Sequence, residues 1–172
     1  MRSVSVGNGH RCLVTTGGDA YCWGSNFDGE VGDGTTTDRP TPRKVRGLGG
    51  KVATINAGVR NTCAVLTTGA VKCWGDNAFG QLGDGTTVDS PTPIQVQGLT
   101  AGWSGIGLGS DYACARSVAG AVRCWGKNSV GQLGNGSEAY ESHVPVPVVG
   151  LGAGVRAIAI GGFTGCALKS GG

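Results

Sequence analysis

The sequence predicts an all-β chain of β-propeller blades, each of four antiparallel strands, about 3.3 repeats of ~51 residues in a chain of 172. Three observations carry this. Cys22-Trp23-Gly24, Cys73-Trp74-Gly75 and Cys124-Trp125-Gly126 stand 51 residues apart twice over. Valine and threonine number 19 and 15, against 9 leucines, 5 lysines and 3 glutamates, which suits a pleated surface and not a helix. Finally, the 35 glycines fall at recurring places between short apolar runs, so their excess marks turns and not low complexity.

The unit from 51 to 101 shows each element in order. Lys51 to Ala57 alternates Val52, Thr54 and Asn56 with Ala53, Ile55 and Ala57 and reads as a first strand. Thr62 to Leu66, the turn Thr67-Thr68-Gly69 and Ala70 to Trp74 read as a hairpin. Gly83-Asp84-Gly85-Thr86 is read as a turn in which Asp84 bonds nearby backbone amides; a calcium loop is the alternative, without a full series of oxygen ligands. A fourth strand is expected at Pro93 to Gln97, where prolines suit a sheet edge. Repeating this scheme divides the chain into blades 1–50, 51–101 and 102–153, the third with one extra residue near Tyr140 to Pro145. Residues 154–172 form a partial fourth repeat with the first two strands only.

Other classes are poorly served by the composition. The net charge is +3, with lysine and arginine scattered, so a nucleic-acid partner is not expected. No run of about 18 apolar residues and no apolar leader occur, so no membrane partner is expected. Phosphate-cradling loops and nucleophile elbows are missing, and the two histidines, His10 and His143, occupy unrelated repeat positions. No enzyme activity, cofactor or metal is therefore expected. Asp28, Asp38, Asp76 and Asp89 are read as solvated loop residues, Trp23, Trp74 and Trp125 as inter-blade core, and Trp103 as exposed.

The run from Cys63-Ala64-Val65 through Gly69-Ala70-Val71-Lys72-Cys73-Trp74-Gly75-Asp76-Asn77 to Gly80-Gln81-Leu82-Gly83-Asp84-Gly85-Thr86 resembles the regulator of chromosome condensation repeat. The resemblance recurs three times with a fourth partial copy. It implies a seven-bladed β-propeller, of which this chain would be a half or a fragment. Members of that family include a chromatin-bound exchange factor for a small GTPase, but the matching positions build blades and carry none of that activity across.

Cys12 and Cys22, Cys63 and Cys73, and Cys114 and Cys124 bracket the hairpin turns symmetrically and should face one another across adjacent strands. Three disulfides are one reading, and they would favour an extracytoplasmic setting; buried apolar thiols are the other. Zinc lacks close ligand pairs. Cys166 is left unpaired, because its partner strand would lie beyond Ser170-Gly171-Gly172. Open blade ends need cover, and a homo-oligomer is expected, a dimer above all, since twice 14 strands equals the 28 of seven blades.

Candidate binding residues come from positions that change between units while their neighbours stay fixed. They are His10, Arg11, Arg60, Asn61, Asp111, Tyr112 and Phe163, in loops after each first strand, which in a propeller gather on one face. Tyr140 joins them from the divergent stretch Ser137 to His143. The function expected is a non-enzymatic scaffold that binds a protein partner through these loops. The alternatives are regulation of an enzyme, by nucleotide exchange on a GTPase or by inhibition of a hydrolase, and a purely structural self-assembling module.

Overall fold

The computed structural model describes residues 3–170 and is built from fourteen strands. Blade 1 holds β1 (Ser3–Val6), β2 (His10–Val14), β3 (Ala20–Gly24) and β4 (Arg39–Lys44), hydrogen-bonded in that order. Blade 2 holds β5 (Val52–Ala57), β6 (Asn61–Leu66), β7 (Val71–Gly75) and β8 (Ser90–Gln95). Blade 3 holds β9 (Trp103–Leu108), β10 (Tyr112–Ser117), β11 (Val122–Lys127) and β12 (Glu141–Pro147). A two-stranded sheet of β13 (Val155–Ile160) and β14 (Gly165–Lys169) follows. All pairings are antiparallel.

All six prolines lie on β4, β8 and β12, the outer edges, where a missing N–H interrupts no ladder on the free side. The fourth strand of blade 2 starts earlier than the expected Pro93 and ends at Gln95, because Val96 turns away to bond Val71 O and buries its side chain. In every blade the pairing of third and fourth strands slips between the cysteine and the glycine of Cys-Trp-Gly. There the third strand advances two residues and the fourth strand four, so the bulge lies in the fourth strand, opposite the tryptophan. The glycine closing that bulge has φ of 103° at Gly75, and a side chain there would run into the backbone of Arg60 and Asn61.

The core lies between blades. Val31, Val45 and Leu48 of the first pack with Val52, Ile55 and Trp74 of the second. Leu82, Val96 and Leu99 of the second pack with Ile106, Ala113 and Trp125 of the third. Trp74 and Trp125 are fully buried, and each donates its indole N–H to the preceding blade, at 2.8 Å to Glu30 O and 2.9 Å to Gln81 O. Trp23 is only half-buried, since by the same geometry it faces away from blade 2 and no other blade among the described residues covers it. Trp103 is also half-buried, against the core between blades 2 and 3, and not exposed as expected.

Three disulfides join Cys12 to Cys22, Cys63 to Cys73 and Cys114 to Cys124, each across directly paired residues of the second and third strands. Cys166 is free and exposed.

Candidate functional site

The loops after β1, β5, β9 and β13 lie side by side because the innermost strands of successive blades adjoin. Ala57 N donates to Ser5 Oγ at 2.9 Å, and Asn56 Nδ2 donates to Ile106 O at the same distance. The loops themselves are stitched by Asn8 N to Gly58 O at 3.2 Å and Ser110 N to Gly162 O at 2.9 Å. They surround an open recess of about 200 Å³, lined by Val6, Asn8, Val59, Leu108, Ser110 and Gly162 among others.

Not every varying position reaches the surface. His10, Asn61 and Tyr112 occupy one repeat position and are all buried, tucked under the glycines that close the preceding turns. Variation at this position therefore reflects different packing solutions, which corrects the inference that a changing position is a surface one. His10 Nε2 donates at 2.7 Å to Thr62 Oγ1, whose hydroxyl in turn donates to Glu30 O at 2.8 Å. That chain fixes the ring proton on Nε2 and leaves Nδ1 without a partner. Burial pulls the imidazole pKa down to about 4. Tyr112 instead donates from its hydroxyl to Gly161 O at 3.2 Å, and burial raises its pKa.

The residue just before this position is partly open. Arg60 spans the junction of blades 1 and 2 and pairs with both carboxylate oxygens of Asp28, at 2.7 and 2.9 Å. The Asp28 hydrogen bonds raise the guanidinium pKa. Asp28 and Asp76 are buried, contrary to the expectation of solvated loops, and burial raises the Asp76 carboxyl, as it does that of nearby Glu30. Asp111 pairs with Lys127 at 3.2 Å; the ammonium also lies 4.2 Å over the Phe79 ring, which stands 6.3 Å from that of Tyr140. Tyr140 therefore belongs to the blade 2–3 junction and is more than half exposed. Phe163 and Arg11 are exposed. Phe79 and Lys127 were not singled out in the sequence, because neither stands at a position that marks the inner loops.

The polar outer loops have a common staple. Asn77 Nδ2 donates to Thr86 O and Val88 O, both at 3.1 Å, while its Oδ1 accepts from Leu82 N at 2.9 Å. Asn26 and Asn128 repeat the arrangement. Asp38 and Asp89 each accept from the backbone N–H of this asparagine in their blade. Asp84 accepts from Thr86 N at 3.0 Å and from its hydroxyl, as the turn reading requires. Among the described residues, no group of three or more His, Cys, Asp or Glu side chains is placed to hold a metal ion.

Stacked four-stranded sheets with inter-blade tryptophans and hairpin disulfides define a β-propeller repeat protein. The chain belongs to the regulator of chromosome condensation (RCC1) repeat family, whose model matches residues 17–65, 68–116 and 119–168. Each match starts at or just before a hairpin's third strand, so one sequence repeat joins the outer strands of one blade to the inner strands of the next. The ultraviolet-B receptor UVR8 of Arabidopsis thaliana is 33% identical over 145 residues, which are 83% of this chain and 33% of the receptor. The crystal structure of human WBSCR16 superposes with a TM-score of 0.86 at 24% identity, covering 97% of this chain and 44% of that one. Prp20p of Saccharomyces cerevisiae gives 0.83 at 16% identity, with 98% and 44% covered. The chain thus spans a third of the receptor and under half of each of the two structures.

Proposed function

We propose that this chain is a non-enzymatic scaffold that binds another protein through the face formed by its inner loops. The observation that carries this reading is the gathering of four consecutive loops of differing sequence around one recess, with Asn8 exposed in its lining and Arg60 and Phe163 exposed in the same loops. A rigid array of blades holds such loops in fixed relation, which lowers the ordering cost of recognition. Prp20p, of the same fold, is described by its binding to Gsp1p and histones, which are proteins. The three hairpin disulfides support an oxidising compartment.

The test compares partner recovery by the native chain and by a Val59→Glu/Phe163→Glu variant, with Val88→Glu on an exposed outer loop as control. Circular dichroism checks that all three are folded. Recovery should fall about tenfold or more for the inner-loop pair, which corresponds to about 1.4 kcal/mol, and stay level for the control. The reverse pattern would move the binding face to the rim.

A further inference from the structure

Lysines and arginines that lie scattered along the sequence are brought together at one place by the fold. Arg39, Arg43 and Lys44 of β4 and Arg46 just beyond it line, with Asp33, an open recess of about 370 Å³ at the outer strand of blade 1. Building a blade requires none of these four charges. The same repeat positions hold Ser90, Ile94, Gln95 and Gln97 in blade 2 and Ser142, Val146, Pro147 and Val149 in blade 3, all uncharged. Arg39 and Arg43 sit opposite Gly24 and Cys22, on the sheet face that Cys22 turns into the core between blades 1 and 2. Arg46 N donates to Gly32 O at 2.9 Å.

The four charges are unequally answered. Asp33 is spent on Arg39, at 2.6 Å, and on Thr35, whose hydroxyl also accepts from Arg39 at 2.9 Å, so this guanidinium is held in place. Lys44 shares Asp19 with Lys51. Arg43 and Arg46 are exposed and, among the described residues, form no ion pair and no side-chain hydrogen bond. The bulge concentrates this charge. Because β4 spends four residues against two of β3, Arg39 and Arg43 stand about 7 Å apart along the sheet instead of the ~13 Å of an extended strand.

We propose that this recess binds the phosphoryl group of a small phosphate monoester. Such a group carries nearly two negative charges at pH 7 and three acceptor oxygens. It can take a bidentate fork from Arg43 and another from Arg46, with the Lys44 ammonium adding attraction and Arg39 forming a fixed wall. A single carboxylate has one charge and leaves one of the two free guanidinium groups unanswered. An added peptide strand is disfavoured, because Pro40 and Pro42 take two N–H donors from β4. A nucleic-acid backbone needs a track of positive charge longer than one recess. The site shares no residue with the inner-loop face, so either can fail without the other.

Isothermal titration calorimetry of the native 172-residue chain at constant ionic strength tests this, with glucose 6-phosphate as the ester and inorganic phosphate, acetate and a short DNA duplex beside it. The ester should bind saturably at one site per chain, and acetate about tenfold or more weakly. Arg43→Glu/Arg46→Glu should weaken the ester about tenfold or more, which corresponds to about 1.4 kcal/mol. Arg123→Glu/Arg156→Glu, an equal change of net charge at exposed positions of β11 and β13, should leave it unchanged. Circular dichroism checks that both variants are folded; the recess arginines are exposed and unpaired, so their replacement leaves no buried group stranded. No saturable binding of the ester at millimolar concentration, or equal losses in the two variants, would overturn the proposal. So would binding of free phosphate or of the duplex without binding of the ester.

Discussion

Replacing His10 by Asn, the residue at the same place in blade 2, should remove an acid sensitivity that the fold builds into the junction of blades 1 and 2. The imidazole is fully buried, bonded through Nε2 to Thr62, and has no acceptor at Nδ1. Its pKa falls from 6.5 to about 4. Between those values the unfolded chain holds a proton that the folded chain refuses, so stability declines as the pH drops. His10's contribution is complete above pH 6.5, declines by up to about 1.4 kcal/mol per pH unit, and levels below pH 4 after a loss of about 3 kcal/mol. Glu30 and Asp76, whose carboxyls burial raises, act in the opposite sense in both chains and cancel in the comparison. Urea unfolding of the two chains at pH 7, 6, 5 and 4 measures the difference directly. The native chain should lose about 3 kcal/mol relative to His10→Asn across this range. Parallel pH profiles would refute the assignment of a neutral, sealed histidine.

Other substitutions probe the remaining joints. Trp74→Ala should cost about 3–5 kcal/mol in chemical denaturation and Trp23→Ala distinctly less, because only the first indole is sealed between two blades; equal losses would contradict the inter-blade core. Asn77→Ala strips the outer loop of its staple and strands Leu82 N, so a loss of about 2–4 kcal/mol is expected, with faster hydrogen exchange confined to residues 82–89. Thiol titration under denaturing, non-reducing conditions should find one reactive group per chain, Cys166, and about seven after reduction. Reduction should also lower the unfolding midpoint, each hairpin bridge contributing up to about 3 kcal/mol.

The blade plan was legible in the sequence because it is written as a period. Cys-Trp-Gly, the turn glycines and the edge prolines each answer a backbone requirement that recurs in every unit, and the cysteine pairs follow from hairpin symmetry. Side-chain depth was less legible. His10, Asn61 and Tyr112 differ chemically, which suggests a surface, yet each is buried under a glycine, the histidine bonded to Thr62 and the tyrosine to Gly161 O. Asp28 looked solvated because its partner Arg60 lies 32 residues away, on the next blade. The role of Asn26, Asn77 and Asn128 was visible as a repeat but not as a loop staple, since their partners are backbone carbonyls that no residue type reveals.

Hydrogen–deuterium exchange of the chain, free and with its captured protein partner, tests the binding face most directly. Slowed exchange in the loops 7–9, 58–60, 109–111 and 161–164, with β4, β8 and β12 unchanged, is the result predicted. Slowed exchange along those outer strands, with the inner loops unaffected, would contradict it.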